Sequence, residues 1–269
     1  MQIGMSSLAC PKWTVEQVAE AARDYGYAGV ELRILDGETV TSASIEANLR
    51  RLKAVFGPGQ VALAGLGSSV RFTAADAAER TRQEAELSKL IEQARELGAP
   101  IVRVFGGRIA EGDPLDTAIG RVSESLSRCA PLAAHAGVTL ALETHDDFSR
   151  SANVARALAG VESPAVGALW DTHHPYRMGE SLAEVWLNLA SRLVHVHLKD
   201  ARKRSDGDWD LVLLGDGEVP NREILRALAM RSFAGWVVVE WEKAWHPGIA
   251  DPEIALPQHL AKMREWLTE

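Results

Sequence analysis

Two cysteines, Cys10 and Cys129, are all that the 269 residues contain. That excludes a disulfide framework and a zinc knuckle, and it fits a reduced setting. No run of about 18 apolar residues occurs, so no membrane span and no membrane partner are predicted. The first residues also lack the basic stretch and apolar core of a secretory leader, and a cytoplasmic location is the resulting expectation. Basic excess is missing as well: 29 Lys and Arg stand against 37 Asp and Glu, for a net charge of −8. A broad nucleic-acid surface carries the opposite balance, so nucleic acid is excluded as a partner. Arg202-Lys203-Arg204 is a small basic exception. No Gly-x-Gly-x-x-Gly follows the first strand-like run, which removes the main support for a dinucleotide-binding fold.

The chain does hold a regular alternation of strand and helix signals, in a composition (46% apolar, 25% charged) ordinary for a globular protein. Strand-like runs occur at Gln2–Met5, Ala28–Leu32, Val61–Leu66, Ile101–Phe105, Thr139–Glu143, Gly167–Asp171, Leu193–His197 and Trp236–Glu240. Helical periodicity separates them. Thr14 is placed to N-cap the first helix, with Gln17 completing a capping box and Gly26 ending it. Further helices are expected from Ser42 to Phe56, stopped by Gly57-Pro58-Gly59, from Ala77 to Leu97, and from Pro114 to Ala136. Shorter ones follow near Ala152–Leu158, Leu182–Leu189 and Asn221–Met230, and the last runs from about Pro257 to Leu267. Strand and helix alternate eight times without a linker or a shift in composition. A parallel sheet follows. Eight such units at this length predict α/β architecture, a single (β/α)₈ TIM barrel spanning 1–269.

The last four strand-like runs each end in a good metal ligand: Glu143, Asp171, His197 and Glu240. Side chains alternate along a strand, so Thr139, Ala141 and Glu143 share a face, as do Gly167, Leu169 and Asp171. A barrel gathers the C-terminal ends of its strands around one mouth. The residues one layer deeper, Ala141, Leu169, His195 and Val238, should fill the space beneath. Three carboxylates and an imidazole are costly to bury unpaired, and one divalent cation removes that cost. The oxygen-rich set suits Mn²⁺, Mg²⁺ or Co²⁺, and Zn²⁺ is admissible. Ordinary strand-end salt bridges are the alternative use of the same residues. Of the two histidines on the seventh strand, His197 is expected at the ligand level and His195 behind or below it. Asp171-Thr-His-His174 should turn one of its two histidines, His174 ahead of His173, toward the mouth, and His145 either reaches it or stays on an exposed loop.

Several strings resemble the xylose isomerase-like TIM-barrel superfamily. They are Glu143-Thr-His145, Asp171-Thr-His-His174, His195-Val-His-Leu-Lys-Asp200, Gly215-Asp-Gly217, Val239-Glu240-Trp and the early Gly29-Val-Glu31-Leu. That superfamily includes sugar and sugar-phosphate isomerases, ketose epimerases, inosose dehydratases and apurinic endonucleases. The resemblance implies that Glu143, Asp171, His197 and Glu240 bind metal, that His174 contacts substrate, and that Arg202 or Lys203 does too. The trinuclear zinc centre of the endonucleases has no counterpart. The third strand ends in Gly65-Leu-Gly-Ser-Ser69, the fourth in Phe105-Gly-Gly107, and no histidine occurs between Ala201 and Pro220.

A small-molecule carbohydrate is therefore the expected partner, and self-association is left open. A metal holding a carbonyl and its neighbouring hydroxyl stabilises the enediolate formed when the α-proton leaves. Glu143 and Glu240 are the candidate catalytic bases on opposite faces of the substrate. Return of the proton gives epimerisation or isomerisation, and loss of a β-hydroxyl gives dehydration. A sugar-binding protein without catalysis is the reading from another class. The expected substrate pocket is lined by Glu31, Arg103, His145, His174 and Lys199 or Arg202, with Trp241 or Trp245 as an apolar wall.

Overall fold

The eight expected strands form and close on one another. In the computed structural model, which describes residues 1–57 and 59–268, they are β1 (Gln2–Ser6), β2 (Gly29–Leu32), β3 (Ala62–Arg71), β4 (Ile101–Phe105), β5 (Thr139–Glu143), β6 (Val166–Asp171), β7 (Leu193–Leu198) and β8 (Trp236–Val239). Each pairs in parallel with its sequence neighbours, and β1 pairs β8, giving a closed barrel. β3 runs five residues beyond the expected Leu66, to Arg71, and Glu240 lies one residue past β8.

The intervening helices are α1 (Val15–Tyr25), α2 (Ser42–Phe56), α3 (Ala77–Leu97), α4 (Leu115–Ala136), α5 (Ser151–Ala159), α6 (Leu182–Leu189), α7 (Asn221–Met230) and α8 (Pro252–Thr268). Local signals explain their ends. Thr14 and Gln17 form the reciprocal capping box, and Gly26, Gly98 and Gly137 close α1, α3 and α4 in the left-handed region at φ 88°, 72° and 68°. Of the stop expected after α2, Gly57 is extended and Pro58 lies outside the described residues. α8 starts at Pro252, not near Pro257. Pro257 is the sixth residue of this helix, past the unpaired N–H groups of the first turn, so it removes one interior backbone hydrogen bond there. Among the described residues no helix is long and apolar enough to cross a membrane. Both cysteines are buried free thiols.

The main core lies between barrel and helices, where Val30, Leu66, Val102, Leu140, Ala168, Val196 and Val237 meet the apolar helix faces. Two small clusters fill the barrel interior. Ala64, Trp236 and Val238 form one, and Ile101, Ala141 and Leu169 the other. The Trp236 ring occupies the space over Gly29, where a β-carbon would fall 2.6 Å from it. The interior is thus plugged below, and the polar residues are confined to the C-terminal end.

Candidate active site

Strand register decides which side chains meet. Asp171 lies level with His197, and Phe105 with Glu143, whereas Glu143 is level with Leu169. His197 is level with Val238, so Glu240 rises one layer above it. The stagger brings one donor atom from each of Glu143, Asp171, His197 and Glu240 within 4.8 Å of the others. A single cation can bridge such a set.

His197 is the centre of the cluster. Its Nδ1 lies 3.2 Å from Glu143 Oε1 and 3.1 Å from Glu240 Oε1, while its Nε2 lies 2.9 Å from Glu31 Oε2. Burial alone would lower the imidazole's pKa, but Glu31, Glu240 and Glu143 raise it well above the ordinary value. Burial works the other way on Glu31, and the two histidines beside it, His197 first, still hold its carboxyl below the usual range. His195 also approaches Glu31 Oε2, at 3.0 Å and without hydrogen-bond alignment. Its place below His197 is as expected. Glu31 itself differs from expectation: it is packed behind His197 in the barrel interior, facing two imidazoles and not the substrate space. A carboxylate behind an imidazole fixes the ring and its tautomer.

The outward oxygens of the two glutamates rest on cations. Arg103 donates from Nη1 to Glu143 Oε2 at 2.8 Å and from Nη2 to the Ser68 carbonyl at 3.0 Å, with its guanidinium over the Phe105 ring. It is an ion-pair partner within the cluster. Lys199 donates to Glu240 Oε2 at 2.6 Å and to Glu242, and lies 2.8 Å from Asp171 Oδ2 without hydrogen-bond alignment. Asp171 Oδ1 accepts from the backbone N–H groups of His173 and His174. Burial pushes Asp171 up to about 6; Lys199 opposes the rise while Glu240 and Glu143 add to it.

The remaining expected residues divide. His174 is buried, its Nε2 is 3.8 Å from Asp171 Oδ2, and neither ring nitrogen has a hydrogen-bond partner. Burial, then the Lys199 charge, lowers its pKa well below the usual value and keeps it neutral. The His145 ring packs 4.5 Å from that of His174. Trp241 is placed elsewhere than expected: one residue past Glu240, it takes the opposite face, is 1% exposed, and donates from its indole to the Ala250 carbonyl beneath α8. Trp245 is 49% exposed and lies against the Arg33 guanidinium. Arg202 is also not in the cluster. The chain after Lys199 turns into an outer hairpin, Asp200–Lys203 with Trp209–Val212, and Arg202 donates from its exposed position to the Asp216 carbonyl. Three residues were not singled out from sequence. Glu242 could have been found by its two-residue spacing from Glu240. Arg33 could have been found in the same way from Glu31. Asp200 is the third: it accepts from the N–H groups of Ala201, Gly215, Gly217 and Val219, which explains why His-Leu-Lys-Asp and Gly-Asp-Gly occur together.

With this geometry in view, comparison with known proteins places the chain. Residues 19–268 match the model of the xylose isomerase-like TIM barrel. The chain belongs to that family. Fructoselysine 3-epimerase of Shigella flexneri is 24% identical over 100% of this chain and 99% of its own length. Inosose dehydratase of Bacillus licheniformis is 29% identical over 52% of this chain and 50% of its own. Among solved structures, an IolI protein with a bound zinc atom superposes with TM-score 0.81 at 17% identity, covering 100% of this chain and 97% of that one. D-Psicose 3-epimerase of Clostridium cellulolyticum H10, crystallised with D-tagatose, gives 0.80 at 19% identity with 99% of both chains covered. These two structures share the fold of this xylose isomerase-like protein, and fructoselysine 3-epimerase, which matches its whole length, is a sugar epimerase.

Proposed function

We propose that this chain is a divalent-metal-dependent epimerase of a sugar or keto sugar, and that Glu143 and Glu240 exchange the proton. The observation that carries this reading is that both glutamates turn Oε1 toward His197 Nδ1, at 3.2 and 3.1 Å, from different strands. A binding protein needs no such pair of bases. The full-length match to fructoselysine 3-epimerase supports epimerisation.

The residues fit a metal ion. Among the described residues, five carboxylates (Glu31, Glu143, Asp171, Glu240 and Glu242) contact four groups that favour a positive charge, Arg103, Lys199, His197 and the half-exposed His246, besides His195, whose pKa burial lowers. Asp171 Oδ2 is buried without an aligned hydrogen bond. A hard divalent cation held by Glu143, Asp171, His197 and Glu240 answers both. Bound there, it would supply charge stabilisation to an oxygen that becomes negative as the substrate loses a proton. The rest falls to the chain itself. Glu31 holds the His197 ring from behind. Arg103 and Lys199 hold the Oε2 atoms of the two glutamates; one glutamate, ionised, takes the proton from one face of the substrate, and the other, entering protonated, gives one up on the opposite face. Neutral His174, with one ring nitrogen donating and the other accepting, orients a substrate hydroxyl.

Dehydration is the second reading, favoured by the inosose dehydratase match over half the chain. Proton abstraction is common to both. Incubation of Mn²⁺-loaded protein with ketoses, inososes and 3-keto sugars in D₂O, followed by NMR, separates them. Epimerisation leaves deuterium at the inverted carbon and conserves the hydroxyls. Dehydration removes one hydroxyl. Absence of deuterium uptake from every sugar would sink both.

A further inference from the structure

We infer that Arg33 is a specificity residue that binds an anionic group, a carboxylate or a phosphate, on the end of the substrate remote from the reacting carbons. This rests on the proposed sugar-epimerase activity and names the class of sugar it takes.

Arg33 is 9% exposed. Charged side chains are rarely buried so deeply unless paired. Yet no carboxylate of the described residues comes within 4.0 Å of it; the only contacts of its guanidinium are Nη1 to the Gly67 carbonyl at 3.2 Å and to Ser69 Oγ at 2.7 Å, and the Trp245 ring. Among the described residues Nε and Nη2 have no hydrogen-bond partner. A structural arginine in this chain looks different. Arg192 places Nε, Nη1 and Nη2 on the carbonyls of Val161, Ser163 and Val166, and Arg103 holds Glu143. Arg33 has the anchoring without the counter-ion.

Its surroundings aim it at the mouth. Glu31 and Arg33 are two residues apart at the end of β2, and two residues rise roughly 7 Å along a strand, so Arg33 sits one layer nearer solvent than the cluster. Its stem lies over Gly67, where a β-carbon would meet Arg33 Cβ and Cδ at 3.3 Å. Gly67 therefore makes the room that lets the side chain lie across β3. Trp245, from the loop after β8, covers the guanidinium with its centroid 5.9 Å from Cζ. The ring shields one face and leaves the edge. A guanidinium edge with Nε and Nη2 free is a two-pronged donor whose spacing matches a carboxylate or a phosphate. β2 lies opposite β6 in the ring of eight strands. A sugar lying across the mouth would meet His174 on one side and reach Arg33 with its far end. Glu240, Glu143 and Glu31 act on this charge from beyond 4.0 Å, and a neutral polyol would bring no closer counter-ion to it.

The experiment has two arms that do not depend on each other. First, binding of inorganic phosphate and of a sugar acid is measured by calorimetry on wild type, Arg33→Met and Arg33→Lys, with a neutral polyol as control. Wild type should bind one of the anions, Arg33→Met at least about tenfold more weakly, Arg33→Lys in between, and the polyol should not respond. The anion that responds identifies the group. No anion binding to wild type, or equal binding to Arg33→Met, overturns the assignment whatever the activity. Second, deuterium uptake is compared for neutral ketoses, ketose phosphates and keto-sugar acids. Arg33→Met should raise KM for the charged substrate at least about tenfold with little change in kcat, and so shrink the preference for charged over neutral ketoses. If neutral ketoses are turned over as well as charged ones in wild type, the assignment of Arg33 fails while the epimerase reading stands. If no sugar exchanges, the epimerase reading fails, and the calorimetry still decides Arg33.

Discussion

The strands from β5 to β8 present Glu143, Asp171, His197 and Glu240 at the mouth, whereas β2 to β4 present Arg33 and Arg103 among small residues, Gly65, Gly67 and Ser68. The first half gathers like charges, which need cations. The other half supplies one, Arg103, while His197 and Lys199 come from β7 and the residue after it. Arg103 completes an ion pair with Glu143 on the neighbouring strand, Arg33 completes none, and Glu31 crosses the barrel to the histidines of β7. One side of the mouth is thus rich in carboxylates, and the other carries two arginines among small residues. Carboxylates outnumber cations, so the site remains receptive to an added metal ion.

The largest expected effect tests the acidic half alone. Glu143→Gln and Glu240→Gln keep the shape and one oxygen donor but cannot take up a proton, so turnover should fall by about 10²–10⁴. Some metal should remain by elemental analysis. The glutamate that starts the reaction should, when replaced, abolish deuterium uptake; replacing the other should stop product formation alone. Wild-type rates in both variants would return the site to a binding role.

Breaking the link between the halves comes next. Arg103→Met strips Glu143 of its buried counter-ion, a change that typically costs about 3–5 kcal/mol. Urea unfolding of the metal-stripped variant should show that loss, and Mn²⁺ should recover part of it by binding the native state alone. If Mn²⁺ raises the midpoint no more than in wild type, the glutamate is not sharing its charge with the metal.

A smaller change sharpens the balance within the cluster. Lys199 approaches the Asp171 oxygen that the backbone leaves free and one oxygen of Glu240. Lys199→Met should tighten Mn²⁺ binding by at least about tenfold, because a charge so near the site opposes a cation. Equal or weaker binding would make Lys199 a support for Asp171.

A control outside the mouth follows from His259, whose ring lies against Trp241 under α8. Burial lowers its pKa to about 4, against the hydrogen bond it makes to the Ala255 carbonyl. The unfolded chain therefore binds more protons between about pH 6.5 and 4, and stability falls as pH falls through that window. The loss is on the order of 3 kcal/mol at most. His259→Gln should flatten this acid limb in melts taken with the metal absent, and an unchanged slope would assign the limb to the cluster instead.

The barrel was legible because its signals are local. The capping box at Thr14, the glycines after α1, α3 and α4, and the apolar runs of the strands each act within a few residues. The four strand-end ligand candidates were legible through period-two alternation. What sequence could not give was partnership across the barrel. Whether Glu31 faces substrate or the back of His197 depends on the closure of β2 against β7 through the interior. Whether Arg202 enters the mouth depends on a hairpin whose direction is set by the backbone hydrogen bonds of Asp200. Trp241 and Trp245 differ only in which face of the loop after β8 each takes.

The Asp200 carboxylate has a consequence for engineering. It receives N–H groups from both ends of the excursion that leaves the barrel at Ala201 and returns at Gly215. A β-carbon at Gly217 would fall 2.1 Å from its Oδ1, so the seat tolerates no other residue there. The excursion is consequently fastened at its base, and its length is uncoupled from the position of Lys199. Doubling a flexible loop adds only about 0.6 kcal/mol of closure cost. The exposed tip from Arg204 to Asp208 can be exchanged or lengthened while Trp209, whose ring packs on His173 and Tyr176, and Leu211, which packs on the core, are kept, which makes this tip the natural place to graft new selectivity.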